Sequence, residues 1–180
     1  MILLARHGQT DDNVPPLRFQ GRTDTPLNDT GRAQAAELAS RVRDEGLAAL
    51  YCSDLIRARA TAEIVGREVG LEPVVDERFS EADQGVWEGR YMDDVRAEDP
   101  ESWAAWRAAD EAFRFPGGES LQEQMDRVIA GLVDVTHSGS LPALVVCHGG
   151  AIRVALCHTH ARGLAMFHHW DVPNGAVVRL

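Results

Sequence analysis

Two apolar runs far apart in the chain end in the same way. Residues 3–8 read LLARHG and residues 144–150 read LVVCHGG, so each strand-length run passes directly into a His-Gly pair. A run that is apolar at every position fits a strand covered on both faces, as in a parallel sheet between helices. Periodicity alone also admits a buried helix segment. As parallel strands, the two runs bring His7 and His148 out on one carboxyl edge, where ligand sites of open α/β sheets form.

The segments between them fit that arrangement. After a polar loop with Pro15, Pro16, Gly21 and Pro26, residues Ala35, Leu38, Ala39 and Val42 recur at helical spacing, with Asn28 or Thr30 as cap and Gly46 as stop. Leu47–Ser53 reads as a strand, and Asp54 is placed to cap a helix that presents Leu55, Ala58, Ala62 and Val65 and ends near Gly70. Val74 and Val75 form a short strand. Ser120 or Glu119 opens a helix to about Val135, and Leu141–Cys147 and Asn174–Leu180 read as the remaining strands. Residues 91–116 are acidic, alanine-rich and aromatic, and read as one or two short helices outside the main layers. Strands alternating with helices predict a mostly parallel α/β sandwich.

A chain of 180 residues suits one hydrophobic core. A single domain over 1–180 is expected, with residues 91–116 as a cap. The formal charge of −10 is spread along the chain, which disfavours nucleic-acid and anionic-membrane surfaces. Cys52, Cys147 and Cys157 are odd in number and lack C-x-x-C spacing, so neither a disulfide framework nor a thiolate metal site is indicated. With no signal-like apolar stretch before Arg6, a cytoplasmic location is expected. A monomer or a homodimer is compatible with all of this.

Any bound anion must then be held by a few arginines. All 18 basic residues are arginine, so the enrichment is general rather than local. Arg6 adjoins His7, and Arg57 lies about one turn into the helix after Asp54. Guanidinium groups make forked hydrogen bonds to phosphate oxygens. Arg57 taken alone equally fits a solvated helix residue paired with Asp54 or Glu63. His148 precedes a helix whose first amides, from Gly149 onward, favour an anion.

At this point the chain resembles a known family. RHGQTDDN at 6–13, QGRTDTPLNDTGRAQA at 20–35, YCSDLIRARATA at 51–62, SEADQGVWEG at 80–89, PGGES at 116–120 and CHGG at 147–150 are similar, in order and spacing, to the histidine phosphatase superfamily, the phosphoglycerate mutase-like group. The resemblance implies a three-layer α/β/α sandwich on a mixed sheet and a covalent phosphohistidine mechanism. By the same likeness His7 is the nucleophile, Arg6, Asn13, Arg57 and Gly149 bind phosphate, His148 polarises the phosphoryl group, and Glu81 is the proton donor. Gly21, Thr23 and Ser120 fall on the substrate rim. Asp12 stands where the family often has tryptophan.

The chemistry asks for the same residue types. A neutral imidazole can attack phosphorus in line while cationic groups neutralise the equatorial oxygens, so no metal or other cofactor is required. An alkoxide leaving group needs a proton from a nearby acid. Asp83 is a rival to Glu81 for that role, with Glu81 favoured by its spacing to Gly85, Trp87, Glu88 and Gly89. His158, His160, His168 and His169 lack a metal-site pattern and fit surface or rim positions. Trp103, Trp106, Phe113 and Phe115 fit the private core of a helical cap, which could also exclude water and favour an apolar organic part of the substrate.

The expected activity is metal-independent hydrolysis of a small phosphomonoester. A 2,3-bisphosphoglycerate-dependent phosphoglycerate mutase is the alternative. The family's mutases carry extra segments, so the length of this chain favours hydrolysis. Within hydrolysis it resembles both broad-specificity phosphatases and the α-ribazole phosphatases of cobalamin synthesis. A non-catalytic phosphate-binding module is the remaining reading, and its signature would be loss of His7, Arg57 or Glu81.

Overall fold

A computed structural model describes residues 1–180. The strands are β1 (Ile2–Arg6), β2 (Ala49–Cys52), β3 (Val74–Val75), β4 (Ala143–Cys147) and β5 (Val177–Arg179). The helices are α1 (Asp29–Val42), α2 (Ile56–Val69), α3 (Met92–Glu98), α4 (Pro100–Ala108), α5 (Leu121–His137) and α6 (Gly149–Thr159). They make one five-stranded sheet of order β3-β2-β4-β1-β5. The first four strands are parallel and β5 runs antiparallel to β1.

Strand alternation divides the core between the two faces of this sheet. Leu3, Ala5, Leu50, Cys52, Leu144 and Val146 pack with Leu38, Ala39, Ala58, Ala62 and Val65 of α1 and α2. Leu4, Val145 and Cys147 face the other way, with Leu121, Val128 and Leu132 of α5 and Ile152 and Ala155 of α6. The central strands β1 and β4 are thus covered on both sides, which is why neither alternates in sequence. The result is a three-layer α/β/α sandwich, the architecture expected.

Local signals acted as read in several places. Asn28 caps α1 by accepting from the Gly31 amide at 2.9 Å. Ser120 caps α5 in a reciprocal box with Glu123. Asp54, however, does not cap α2: that helix starts at Ile56, whose amide donates to Asp24 Oδ1 at 2.7 Å. The Asp54 carboxylate instead accepts from Ser80 Oγ. A side chain from a distant loop took the cap, and no local pattern announces that.

Residues 91–116 carry α3 and α4. Trp106, Phe113 and Phe115 are buried against Phe19 and Trp87, with the Phe19 and Trp87 ring centroids 4.9 Å apart and those of Trp87 and Phe115 5.5 Å apart. The aromatic residues of this segment therefore pack on the loop that follows Glu81.

Glycine at position 8 is required by a close approach of two backbone segments. A Cβ at Gly8 would lie 2.1 Å from the Gly31 carbonyl oxygen, and one at Gly31 would lie 2.0 Å from the Gln9 carbonyl oxygen. The loop leaving β1 is pressed against the first turn of α1, backbone on backbone. In an open helix Gly→Ala gains about 1 kcal/mol; here the clash reverses the sign. Gly31→Ala is expected to destabilise the fold by about 3 kcal/mol, seen as a lower urea midpoint. A midpoint that stays put or rises would mean that this loop yields freely.

Candidate active site

The site begins where β1 and β4 end. Their register sets Arg6 opposite Cys147, and the His7 amide donates to the Cys147 carbonyl at 3.0 Å, so His7 and His148 lie side by side. Their ring centroids are 5.1 Å apart, and the residues are only 2% and 0% exposed. His7 Nδ1 is 2.7 Å from the Gly8 carbonyl oxygen. A carbonyl can only accept, so Nδ1 carries the proton and Nε2 the lone pair. Burial, then the charges of Arg57 and Arg6, push the affinity of His7 for a proton well below the usual histidine range. The same holds for His148, through burial and then Arg57, His7 and Arg6.

Arg57 is not a solvated helix residue. It is fully buried and donates from Nη2 to the Gly21 carbonyl at 2.7 Å and from Nη1 to the Thr23 carbonyl at 2.6 Å. Arg6 donates from Nη1 to the Val172 carbonyl at 2.7 Å. Burial lowers its pKa to about 10, against the attraction of Glu81, which leaves it cationic at neutral pH. Both guanidinium groups are held by neutral carbonyls rather than by carboxylates. Arg6 Nε, Arg57 Nε and His148 Nδ1 are buried and have no protein partner. His148 Nε2 lies 2.8 Å from Ser53 Oγ.

Glu81, in the loop before α3, lines a cleft that Arg6 also lines. Its Oε2 accepts from the Gly150 amide at 3.0 Å, and its Oε1 accepts from Ala82 N at 2.9 Å and Gln124 Nε2 at 2.8 Å. A Cβ at Gly150 would sit 2.2 Å from Glu81 Oε1, so a side chain there would displace the carboxylate. The second amide of α6 thus serves Glu81. The rival Asp83 turns back on its own backbone, accepting from Gly85 N at 3.0 Å, and does not line the cleft.

The cleft is lined by Arg6, Asn13, Gly21, Glu81 and Gly149 among the site residues read from sequence, whereas His7, Arg57 and His148 are buried and are not on its walls. Its other walls include Gln20, Gln84, Trp106, Phe115, Gln124, Arg153 and Phe167. Two rim expectations are corrected. Ser120 is absent from the lining because its hydroxyl caps α5. Thr23 is absent as well, its carbonyl bound by Arg57 and its hydroxyl by the Gln20 carbonyl. Asn13 Oδ1 accepts from Asn174 Nδ2 at 3.1 Å, and Asn174 also donates to the His7 carbonyl at 3.1 Å.

His158, His160, His168 and His169 do not converge, and no three His, Cys, Asp or Glu side chains form a ligand set. His168 instead donates from Nε2 to the Trp106 carbonyl at 2.7 Å and accepts from Arg107 at Nδ1, which ties the loop after α6 to α4. Sequence reasoning passed over Ser53, Asn174, Gln84, Gln124 and Arg153. Gln20 stood inside the quoted QGRTDT block, and its adjacency to Gly21 was the one signal available for it.

A fold of this layer order with paired strand-end histidines, a fully buried Arg57 and a half-buried Arg6 belongs to a defined class. The histidine phosphatase superfamily (branch 1) profile matches residues 2–180, and the chain is a member of that family. The probable phosphoglycerate mutase GpmB of Salmonella paratyphi B is 39% identical over 154 residues, covering 84% of this chain and 70% of that protein. A mycobacterial glucosyl-3-phosphoglycerate phosphatase in complex with VO3 superposes with a TM-score of 0.87 at 31% identity, over 98% of this chain and 88% of that one. The α-ribazole phosphatase of Shigella flexneri gives a TM-score of 0.85 at 27% identity, over 98% and 87%. No helix is long and apolar enough to cross a membrane.

The histidines make stability depend on pH. His7 and His148 lie well below 6.5 and His168 falls to about 4, burial being the main cause in each case. The unfolded chain therefore binds more protons than the folded one below about pH 6.5, and stability falls as pH drops through that value. The melting temperature is expected to be level from pH 8 to 7 and to decline steeply toward pH 5. His168→Gln should shallow that decline; an unchanged slope would remove His168 from it.

Proposed function

We propose that the protein hydrolyses small phosphomonoesters through a phosphohistidine on His7. One observation carries this reading: a neutral imidazole with its Nε2 lone pair free sits among three buried nitrogens that have no protein acceptor. Unpartnered buried N–H groups are unfavourable unless a ligand accepts from them. A phosphoryl group offers three equatorial oxygens for them.

The chemistry follows from the placements. His7 Nε2 attacks phosphorus in line, the N–P bond forms and the P–O bond to the alcohol breaks. Arg6 and Arg57 neutralise the equatorial oxygens, already positioned before substrate arrives. His148 Nε2 is paired with Ser53 Oγ, so Nδ1 is the ring nitrogen left to meet the phosphoryl group, and it donates to it in the tautomer that carries its proton there. The Gly8 carbonyl stabilises the His7 ring as its charge develops. Glu81 gives a proton to the leaving oxygen, and as carboxylate it then takes one from the water that attacks the phosphohistidine. Arginine supplies the neutralising charge in this scheme, so a chelator should leave the activity intact. Helices α3 and α4, through Met92 and Trp106 on the cleft wall, act as a cap that limits water around the alcohol.

Transfer to a second phosphoglycerate instead of water is the alternative, favoured by the likeness to GpmB. An assay of 2,3-bisphosphoglycerate-dependent interconversion of 2- and 3-phosphoglycerate separates the two. The α-ribazole phosphatase likeness keeps that substrate within the hydrolytic reading.

Three expected outcomes test the mechanism. His7→Ala abolishes the acid-labile phosphoenzyme trapped from labelled substrate, and Arg57→Ala lowers kcat/KM by about a hundredfold or more. Label retained in the His7 variant would sink the covalent scheme. Glu81→Gln slows alkyl phosphates by about a hundredfold and p-nitrophenyl phosphate by less than about tenfold, because nitrophenolate leaves without a proton. Equal losses on both would take the acid role from Glu81.

A further inference from the structure

Two buried acceptors in the cleft remain after the phosphoryl cradle is assigned. The side-chain oxygens Oε1 of Gln84 and Oε1 of Gln124 are buried and receive no hydrogen bond from the protein. Both residues line the cleft beside Glu81, Ala82 and Leu121. Gln124 is fully buried. Its Nε2 is committed to Glu81 Oε1 at 2.8 Å, which fixes which end of the amide is oxygen. The side chain of Gln84 makes no hydrogen bond, while its backbone amide is anchored to Glu88 Oε1 at 3.1 Å.

We infer that the alcohol half of the substrate carries hydroxyl groups, read by the Gln84 and Gln124 carbonyls beside the leaving oxygen. The inference rests on the phosphomonoester reading above, which places the leaving oxygen at Glu81. Gln124 touches Glu81, so a group bonded to its free acceptor would lie close to the proposed leaving oxygen. A carbonyl oxygen accepts and never donates, so its ligand must bring an O–H or N–H. Carboxylate or a second phosphate is repelled by the Gln124 oxygen. An ammonium group would donate, but it would sit in a cleft already lined by the cations Arg6 and Arg153. Arg153 uses only Nε within the protein, donating to the Trp170 carbonyl at 3.1 Å. A neutral hydroxyl meets both conditions. Phe115 and Leu121, on the same walls, suit the carbon faces of a polyol.

Discrimination by such a site is one-sided. A hydroxylated alcohol satisfies the buried carbonyls, whereas its deoxy analogue strips them of water and returns nothing. The test compares kcat/KM for glycerol 1-phosphate, n-propyl phosphate and 2-aminoethyl phosphate, with p-nitrophenyl phosphate as a reference. The wild-type protein is expected to favour glycerol 1-phosphate over n-propyl phosphate by about tenfold or more. That ratio should shrink severalfold in Gln84→Leu and in Gln124→Leu. Gln84 makes no side-chain bond within the protein, so its variant keeps the test available if Gln124→Leu does not fold. A wild-type ratio near one, a ratio that neither variant changes, or preference for 2-aminoethyl phosphate would overturn the inference alone, provided p-nitrophenyl phosphate is cleaved. Failure to cleave any of the four would overturn the phosphatase reading, and this inference with it.

Discussion

The hydrogen bond from the His7 amide to the Cys147 carbonyl, 3.0 Å long, extends the β1–β4 ladder one residue past β1 and fixes what both strand ends can present. In a pleated ladder a shift of one residue exchanges the two faces. Leu3 and Ala5 on β1, and Leu144 and Val146 on β4, face α1 and α2. Continued by two residues, that alternation sends His7 and His148 toward α2, which supplies Arg57. Arg6 has the opposite parity and lies against Gly149 of α6, where a Cβ would be 3.5 Å from its Nε. The two guanidinium groups therefore flank the histidines from different layers, as a consequence of strand register.

The electrostatics of the site depend on what holds those arginines. A carboxylate partner would compete with phosphate for each guanidinium and blunt its field. Carbonyls of Gly21, Thr23 and Val172 fix the geometry while leaving the charge uncompensated at short range. The histidines between them stay neutral because a proton there would be desolvated and repelled at once. Two guanidinium groups without a carboxylate ion-pair partner thus flank one pair of neutral histidines within a chain whose formal charge is −10.

How much of this was legible depended on the range of the signal. The strand-end histidines, the buried strands and the capping Asn28 and Ser120 were readable because each is written within a few adjacent residues. Arg57 was visible as a residue type but not as a buried one, since its partners Gly21 and Thr23 lie in another loop. Thr23 and Ser120 were assigned to the rim from their position in motifs, whereas their polar atoms are spent inside the fold. Asp54 lost its expected cap to Asp24, again across loops. Gln84, within the SEADQGVWEG block, and Gln124 were not singled out, because an amide oxygen without a partner is a property of the packed structure alone.

The proposed acid, Glu81, and the proposed nucleophile, His7, are located by different parts of the molecule. Glu81 sits in a segment without regular structure, and the side chain of Arg127 on α5 organises it. That guanidinium donates to the carbonyls of Arg78 and Ser80 at 2.8 Å and of Glu81 at 3.0 Å, and pairs with Glu119. Glu119 also accepts from the Asp83 amide at 2.9 Å, so one ion pair ties both sides of Glu81. The Glu81 carboxylate is then oriented by Gly150 on α6 and Gln124 on α5. His7, by contrast, is fixed by the sheet. Helix α6 continues directly from His148 at the end of β4, and it is the element shared by the two systems. The packing of α5 against α6, through Val128 and Leu132 on one side and Ile152 and Ala155 on the other, therefore sets the distance between nucleophile and acid. A volume change in that layer would act on the reaction without touching any group that meets the substrate.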